Sequence, residues 1–234
     1  MSNSRKKRTV VITGAGSGLG ASLSRQFSEE GFHVCLLGRD KEKLSNLSKK
    51  LSNPSSIYSL DVSDYDNVKS VFKRIFNEHK AIDILINNAG VGFFRLIEDL
   101  KLQEINQMID TNIKGTIFTI QEVIESMKNL NRGIIINIVS TAGLYGKEQE
   151  SAYCASKFGV KGLTESLREE LKDTAITVFA VYMDGMGTAF WDGILTDEDK
   201  KNLLNPDIVA ELVKKNALYN DSITSVQDIT IALK

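Results

Sequence analysis

Short β-branched runs alternate with amphipathic stretches along most of this chain, and that alternation restricts its fold more than any other feature. Residues 9–12, 32–37, 56–60, 82–86, 133–139 and 175–182 are apolar or β-branched and bounded by turn residues, so each reads as a buried strand. Between them fall helical stripes. Leu23 and Phe27 lead to the helix-ending Gly31, Asp40 caps a helix over 41–51, and Ser63 or Asp64 caps one that buries Val68, Val71, Phe72, Ile75 and Phe76. A long helical region covers 102–130, with Ile105, Met108, Ile109, Ile113, Phe118, Val123, Ile124 and Met127 as candidate buried positions. Ser151 is the candidate cap of a further helix whose stripe is Phe158, Val160, Leu163, Leu167 and Leu171. A last run, 226–232, alternates like an edge strand. Parallel strands need crossover helices, so strand–helix alternation with short connections predicts one α/β domain over 1–234: a Rossmann-type, doubly wound parallel sheet of about seven strands with helices on both faces.

In such a sheet, ligands bind beyond the carboxyl ends of the strands. The first strand runs into Thr13-Gly14-Ala15-Gly16-Ser17-Gly18-Leu19-Gly20 and then a helix. Backbone N–H groups and the positive helix end face an anion there, and missing side chains let it approach. The spacing is G-x-x-x-G-x-G, carried by Gly14, Gly18 and Gly20. After the second strand comes Gly38-Arg39-Asp40, where an adenosine ribose arrives. An acidic residue at that tip grips the 2′-hydroxyl of NAD, whereas arginine accommodates the extra phosphate of NADP. Arg39 therefore favours NADP(H) over NAD, with Asp40 taken up as a helix cap.

The strand at 133–139 ends in Ser140, and the following helix carries Tyr153 and Lys157 one turn apart on one face. A free phenol, with a pKa of about 10, is a poor acid or base at neutral pH. An ammonium nearby favours the phenolate, so Lys157 is expected to lower the Tyr153 pKa. Ser140 is placed to hydrogen-bond the oxygen that Tyr153 protonates, an arrangement that reduces a carbonyl or oxidises an alcohol. Asn112, inside the long helical region, is a mid-helix asparagine that in a buried position kinks its helix and holds a solvent chain.

Composition removes several other classes. A net charge of −1 in 234 residues argues against bulk-charge binding of nucleic acid or anionic membrane. The basic run at 5–8 reads as the solvated end of an arm over 1–8. Cys35 and Cys154 make neither a disulfide framework nor a zinc site, and no metal is expected. His33 shows no partner in the sequence and is read as structural. With no membrane-length apolar run and no signal-peptide core, a cytoplasmic protein is expected.

Taken together, these residues resemble the short-chain dehydrogenase/reductase superfamily, in its compact single-domain branch, over roughly residues 9–188. Thr13 to Gly20, with Gly16, Ser17 and Leu19 inside it, resembles the T-G-x-x-x-G-x-G cofactor turn. Asp61-Val62 resembles the adenine contact, and Asn87-Asn88-Ala89-Gly90 the N-N-A-G segment. Asn112, Ser140, Tyr153 and Lys157 fall where the family has its catalytic four. The resemblance implies that NADPH delivers hydride, Tyr153 protonates the oxygen, Ser140 polarises it, Lys157 holds the nicotinamide ribose, and Asn112 holds a water linking Lys157 to solvent. It also implies Thr188 against the nicotinamide and a substrate lid over 187–205, with Phe190, Trp191, Ile194 and Leu195 on its apolar side. Phe93, Phe94, Leu144 and Tyr145 are candidate pocket walls for an apolar or aromatic carbonyl compound.

One departure stands out: Met183-Asp184 replaces the family's Pro-Gly after the sixth strand. Either Gly185 keeps the turn and Asp184 points to solvent, or the new carboxylate weakens cofactor binding. The departure leaves a second reading open, an NADP(H)-sensing regulatory protein with little turnover. The family's Asp-Gly-Gly tail is also missing, so a homodimer through the helices around Asn112 and Tyr153 is expected ahead of a homotetramer.

Overall fold

The computed structural model describes residues 8–219 and 228–233. Its strands are β1 (Thr9–Thr13), β2 (His33–Gly38), β3 (Ser55–Ser59), β4 (Ile84–Asn87), β5 (Gly133–Ile138), β6 (Ile176–Met183) and β7 (Ile229–Ile231). They form one sheet in the order β3-β2-β1-β4-β5-β6-β7, with every neighbouring pair parallel. The connections reverse direction between β1 and β4, which opens a crevice at the carboxyl ends of those two strands.

The helices are α1 (Gly18–Glu29), α2 (Lys41–Ser48), α3 (Tyr65–His79), α4 (Leu102–Met108), α5 (Gly115–Leu130), α6 (Ser151–Glu170), α7 (Asp197–Lys201) and α8 (Pro206–Leu218). Strand side chains alternate between two cores, as a period of two requires. Val10, Ile12, Val34, Leu36, Ile84 and Ile86 pack with Leu23 and Phe27 of α1 and Val209 and Val213 of α8. Val11, Cys35, Leu37 and Leu85 face the other way, onto Val68 and Phe72 of α3 and Val123 of α5. Each such buried aliphatic or aromatic side chain contributes about 1.5–3 kcal/mol relative to exposure. The sheet is therefore held from both faces, and its carboxyl edge is left for function.

A buried polar ladder crosses the second core. Asn87 donates to Asn137 at 2.9 Å, Thr119 of α5 donates to Asn87 at 2.6 Å, and Asn137 donates to Thr164 of α6 at 2.8 Å. Every partner is buried, so these bonds fix how α5 and α6 sit on β4 and β5.

Several local expectations change. α2 stops at Ser48, and α3 takes Asp64 as its cap, accepting from Asn67 N. Ser151 is the first helical residue of α6; Glu150 precedes it and makes no side-chain cap bond. Phe158 leaves the apolar stripe of α6 and is 41% exposed. The region 102–130 is helical throughout but not uniform. Between α4 and α5 the turns at Ile109–Lys114 widen to i→i+5 bonding, a bulge that often marks a functional position, and Asn112 sits inside it. Of the expected arm only Arg8 is described, stacked 4.3 Å above the Phe32 ring; residues 1–7, and 226–227 of the expected last strand, lie outside the described residues. No helix among the described residues is long and apolar enough to cross a membrane.

Candidate active site

The turn between β1 and α1 builds one end of the crevice. Gly14 and Gly18 have φ of +63° and +50°, which disfavour any residue with a Cβ. Gly20, and Gly14 a second time, serve close approach. A Cβ on Gly20 would stand 2.2 Å from the Gly14 carbonyl oxygen, and one on Gly14 would stand 2.9 Å from the Ala89 Cα. The β4 end is tied to this turn: Thr13 Oγ1 accepts from Asn88 N and Ala89 N, and Asn88 Nδ2 donates to the carbonyls of Thr13 and Gly14. The Asn88-Ala89-Gly90 segment is thereby positioned by the first turn rather than by β4 alone.

A cleft of about 540 Å³ opens here. It is lined by Gly14, Gly16, Ser17, Gly18, Leu19, Arg39, Asp61, Val62, Asn88, Ala89, Gly90, Ser140, Tyr153, Lys157 and Thr188. Sequence reasoning placed all of these in the site. Two residues it also named stand behind the wall. Gly20 packs against the back of the turn, and Asn112 is 1% exposed. Residues it missed are Lys43, Val91, Thr111, Lys147 and Glu150. Lys43 was legible as a cation four residues after Arg39. At the same end of the cleft, Asp40 Oδ1 caps α2 by accepting from Glu42 N and Lys43 N, and its Oδ2 lies 3.8 Å from Lys43 Nζ; Arg39 and Lys43 both line that end.

Asn112 has both amide hydrogens committed, to the Val91 carbonyl and to Ser156 Oγ, each at 2.9 Å, while its Oδ1 accepts from Val91 N. The side chain thus clamps Val91 beside Gly90. With both amide hydrogens committed, a water at Asn112 would have to be held through its oxygen acceptors.

At the inner end, Ser140 has φ +122° and ψ 154°, a region nearly reserved for glycine that costs of order 1–3 kcal/mol. Its Oγ accepts from Ala142 N at 3.2 Å, and a hydrogen bond with Tyr153 pulls the phenol pKa down. Burial is the larger influence and pushes that pKa up, helped by the nearby Glu150 carboxylate. The lowering expected from Lys157 is therefore reversed. Lys157, whose Nζ donates to the Ile138 carbonyl at 3.1 Å and lies 5.7 Å from the Tyr153 ring centroid, is itself pulled down to about 8 by burial. Both groups are buried where charge is penalised, and the phenol stays protonated at neutral pH.

Asp184 is half-buried, lines the cleft and is bonded within the protein. Its Oδ1 accepts from Thr141 Oγ1 at 2.8 Å and its Oδ2 from Leu233 N at 3.3 Å, while Lys147 Nζ donates to the same Thr141 hydroxyl. With Asp184 N bonded to the Ile231 carbonyl, this residue joins β6 and the segment after β7 to the Ser140 turn. Met183 extends β6 by one residue and is buried.

The segment after β6 is closed at its base, with Gly187 N donating to the Leu204 carbonyl and Leu204 N to that of Gly185. Phe190 and Trp191 turn toward the cleft. Phe94 stacks on Trp191 with centroids 5.0 Å apart and meets Tyr153 edge-on at 5.3 Å. Ile194 is 49% exposed and leaves the apolar side expected of it. Of the other candidate walls, Phe93 packs with Met108 and Tyr153, whereas Leu144 fills a core with Val139 and Val160, and Tyr145 is largely exposed. Neither Leu144 nor Tyr145 faces the cleft.

Known proteins show the same arrangement over nearly the whole chain. The profile of the short chain dehydrogenases matches residues 8–199. An uncharacterized oxidoreductase of Staphylococcus aureus is 35% identical over 225 residues, covering 96% of both chains. Among solved structures, ElxO with NADP bound superposes with a TM-score of 0.88 at 29% identity, covering 97% of both chains. A closed form of serine dehydrogenase complexed with NADP+ gives 0.85 at 30% identity, covering 96% of this chain and 94% of that one. A profile match through the end of β6 and into the aromatic segment, with the sheet order seen here, leaves one assignment: the chain belongs to the short-chain dehydrogenase/reductase family of oxidoreductases.

Proposed function

We propose that this chain is an NADPH-dependent reductase that converts a ketone or aldehyde to an alcohol, and runs the reverse reaction with the same groups. The observation that carries this reading is a buried Tyr153 phenol beside Ser140 on the inner wall of a cleft whose other end is a glycine cradle. The cradle fits a dinucleotide: the turn at Gly14 and Gly18 adopts positive φ, and α1 begins there with its N–H groups toward the crevice. When bound, NADPH supplies the hydride. The chain's own residues do the rest. Tyr153 gives its proton to the substrate oxygen, Ser140 orients and polarises that oxygen, and Lys157 holds the ribose hydroxyls and supports proton return to Tyr153. A preorganised donor pair in a water-poor site is worth more than the same pair in water.

NADP(H) is favoured over NAD(H) because Arg39 and Lys43 stand together at the ribose end. ElxO and serine dehydrogenase, each seen with NADP, support the choice. Arg39→Asp is expected to raise the KM for NADPH roughly 10- to 100-fold, since hydrogen bonds to a charged group contribute about 1.5–3 kcal/mol. The KM for NADH should change little. Steady-state kinetics with both cofactors checks this, and a preference for NADH in the unaltered chain would refute the assignment.

The substrate end is lined by Phe190 and Trp191, with Phe94 packed on both, which suits an apolar or aromatic carbonyl compound, and residues 187–205 serve as the lid over it. The sensor reading rested on Met183-Asp184, which lines the cleft, with Asp184 accepting from Thr141 and Leu233; the glycine cradle together with Tyr153 and Ser140 supports the reductase ahead of it. A cytoplasmic homodimer, paired through the helices that carry Asn112 and Tyr153, accords with the exposed Phe158 on α6. Ser140→Gly supplies a further test. Relief of the positive φ should raise Tm by a few degrees while turnover falls at least 10-fold, a split that thermal melts and kinetics read separately.

A further inference from the structure

Both histidines of the chain and one of its two cysteines converge at the end of the sheet opposite the cleft. His33 and Cys35 are two apart on β2, so they point to the same face, toward α3. His79 is the last residue of α3, and Lys80 ends the helix in the left-handed region. One donor atom from each of the three lies within 4.8 Å of the others. Ser56 Oγ is 2.9 Å from His33 Nε2 and 3.4 Å from His79 Nε2, so the two imidazoles face one point. Glu78 Oε2 lies outside that three-donor cluster, 3.8 Å from His79 Nε2, accepts from Tyr58 at 2.6 Å, and can supply a fourth donor by a side-chain rotation.

We propose that His33, Cys35, His79 and Glu78 bind one divalent transition metal of the zinc class. Two imidazoles, a thiolate and a carboxylate are a four-donor set of the kind zinc takes, and their two negative charges neutralise the ion. Binding forms the metal–sulfur bond as the Cys35 thiol releases its proton to solvent. Bond lengths of about 2.0–2.3 Å require the donor atoms to close to about 3.5 Å from one another, a side-chain adjustment in which Ser56 yields its place. Tyr58 and Ser56 remain as hydrogen-bonding support. Entry is from the Glu78 side, whose side chain is 48% exposed while Cys35 is fully buried. The site is remote from the chemistry: β2 runs from His33 to Gly38, roughly 16 Å at the usual rise per residue. It would fasten the end of α3 to β2 near the sheet edge.

The test uses the full chain stripped with a chelator and titrated with Co²⁺. One equivalent should give a near-ultraviolet thiolate-to-cobalt charge-transfer band that Zn²⁺ abolishes. Cys35→Ser should lose the band, Cys154→Ser should keep it, and His79→Ala should bind Co²⁺ at least 10-fold more weakly. No band, or a band that survives Cys35→Ser, overturns the proposal. Because Cys35 is a core residue, a second measurement guards against misfolding. Zn²⁺ should raise the Tm of the unaltered chain and not that of His79→Ala, with circular dichroism confirming that the variant is folded; equal shifts in both also overturn it.

Discussion

Tyr153→Phe removes one oxygen and is expected to lower kcat for carbonyl reduction by roughly 10²–10⁴-fold, the span attributed to a positioned general acid. NADPH affinity should stay within about 3-fold, because the proposed hold on the dinucleotide is the β1–α1 turn and Arg39, and Tm should change little. Burial keeps the phenol protonated at neutral pH but makes it a weaker acid, so proton transfer relies on Ser140 and the nearby Lys157 to favour the phenolate as the proton leaves. Fluorescence titration with NADPH and steady-state turnover on a ketone panel separate binding from chemistry. Turnover within a factor of 2 of the unaltered chain would show that another group donates the proton. Loss of NADPH binding together with activity would show that Tyr153 holds the cradle instead.

Gly20→Ala should have the largest effect on the fold. A Cβ there meets the Gly14 carbonyl oxygen at 2.2 Å and Asn88 Nδ2 at 2.7 Å, and both belong to the junction between the turn and the β4 end. The added atom cannot be absorbed by a flexible side chain, so α1 must move away from β1. Overpacking of this kind costs about 1–3 kcal/mol, and strain in the phosphate turn adds loss of cofactor. A fall of at least 5 °C in Tm with NADPH binding weakened at least 10-fold is expected. Gly162→Ala is the matched control. Gly162 lies on the exposed side of α6, one turn after Phe158, with nothing in its own chain within 4 Å of a built Cβ, so alanine should stabilise the single chain by about 0.5–1 kcal/mol through helix propensity, and melts over a range of protein concentrations separate any effect on pairing. If the two variants melted alike, the close approach at Gly20 would carry no weight.

The bulge at Asn112 and the reversal at Tyr153 show where one-dimensional reading stops. A mid-helix asparagine in an apolar stretch signals burial and a kink, and both are present. Its partners, Val91 and Ser156, are distant in sequence, so no spacing reveals that its amide hydrogens are already used. The Tyr153–Lys157 pair is legible as helical neighbours, but the sign of the pKa shift depends on desolvation. That is a property of everything packed around α6, and it outweighs one ammonium whose Nζ turns to the Ile138 carbonyl. Phe158 and Leu144 misled for a related reason: periodicity says that a face is apolar, not how much of it the neighbouring element covers.

By itself the sequence determined the alternating parallel sheet, the glycine turn, Arg39 at the ribose tip and the ordered residues of the cleft, because period, glycine placement and capping are local and survive in one dimension. Tertiary structure alone decided that Asp184 bonds Thr141 and the chain after β7, that Ser140 is held at positive φ, and that two histidines and a cysteine meet beneath β2. Those outcomes depend on contacts between residues tens of positions apart, and on burial, which sets the worth of every charge and hydrogen bond and is settled only when the elements pack.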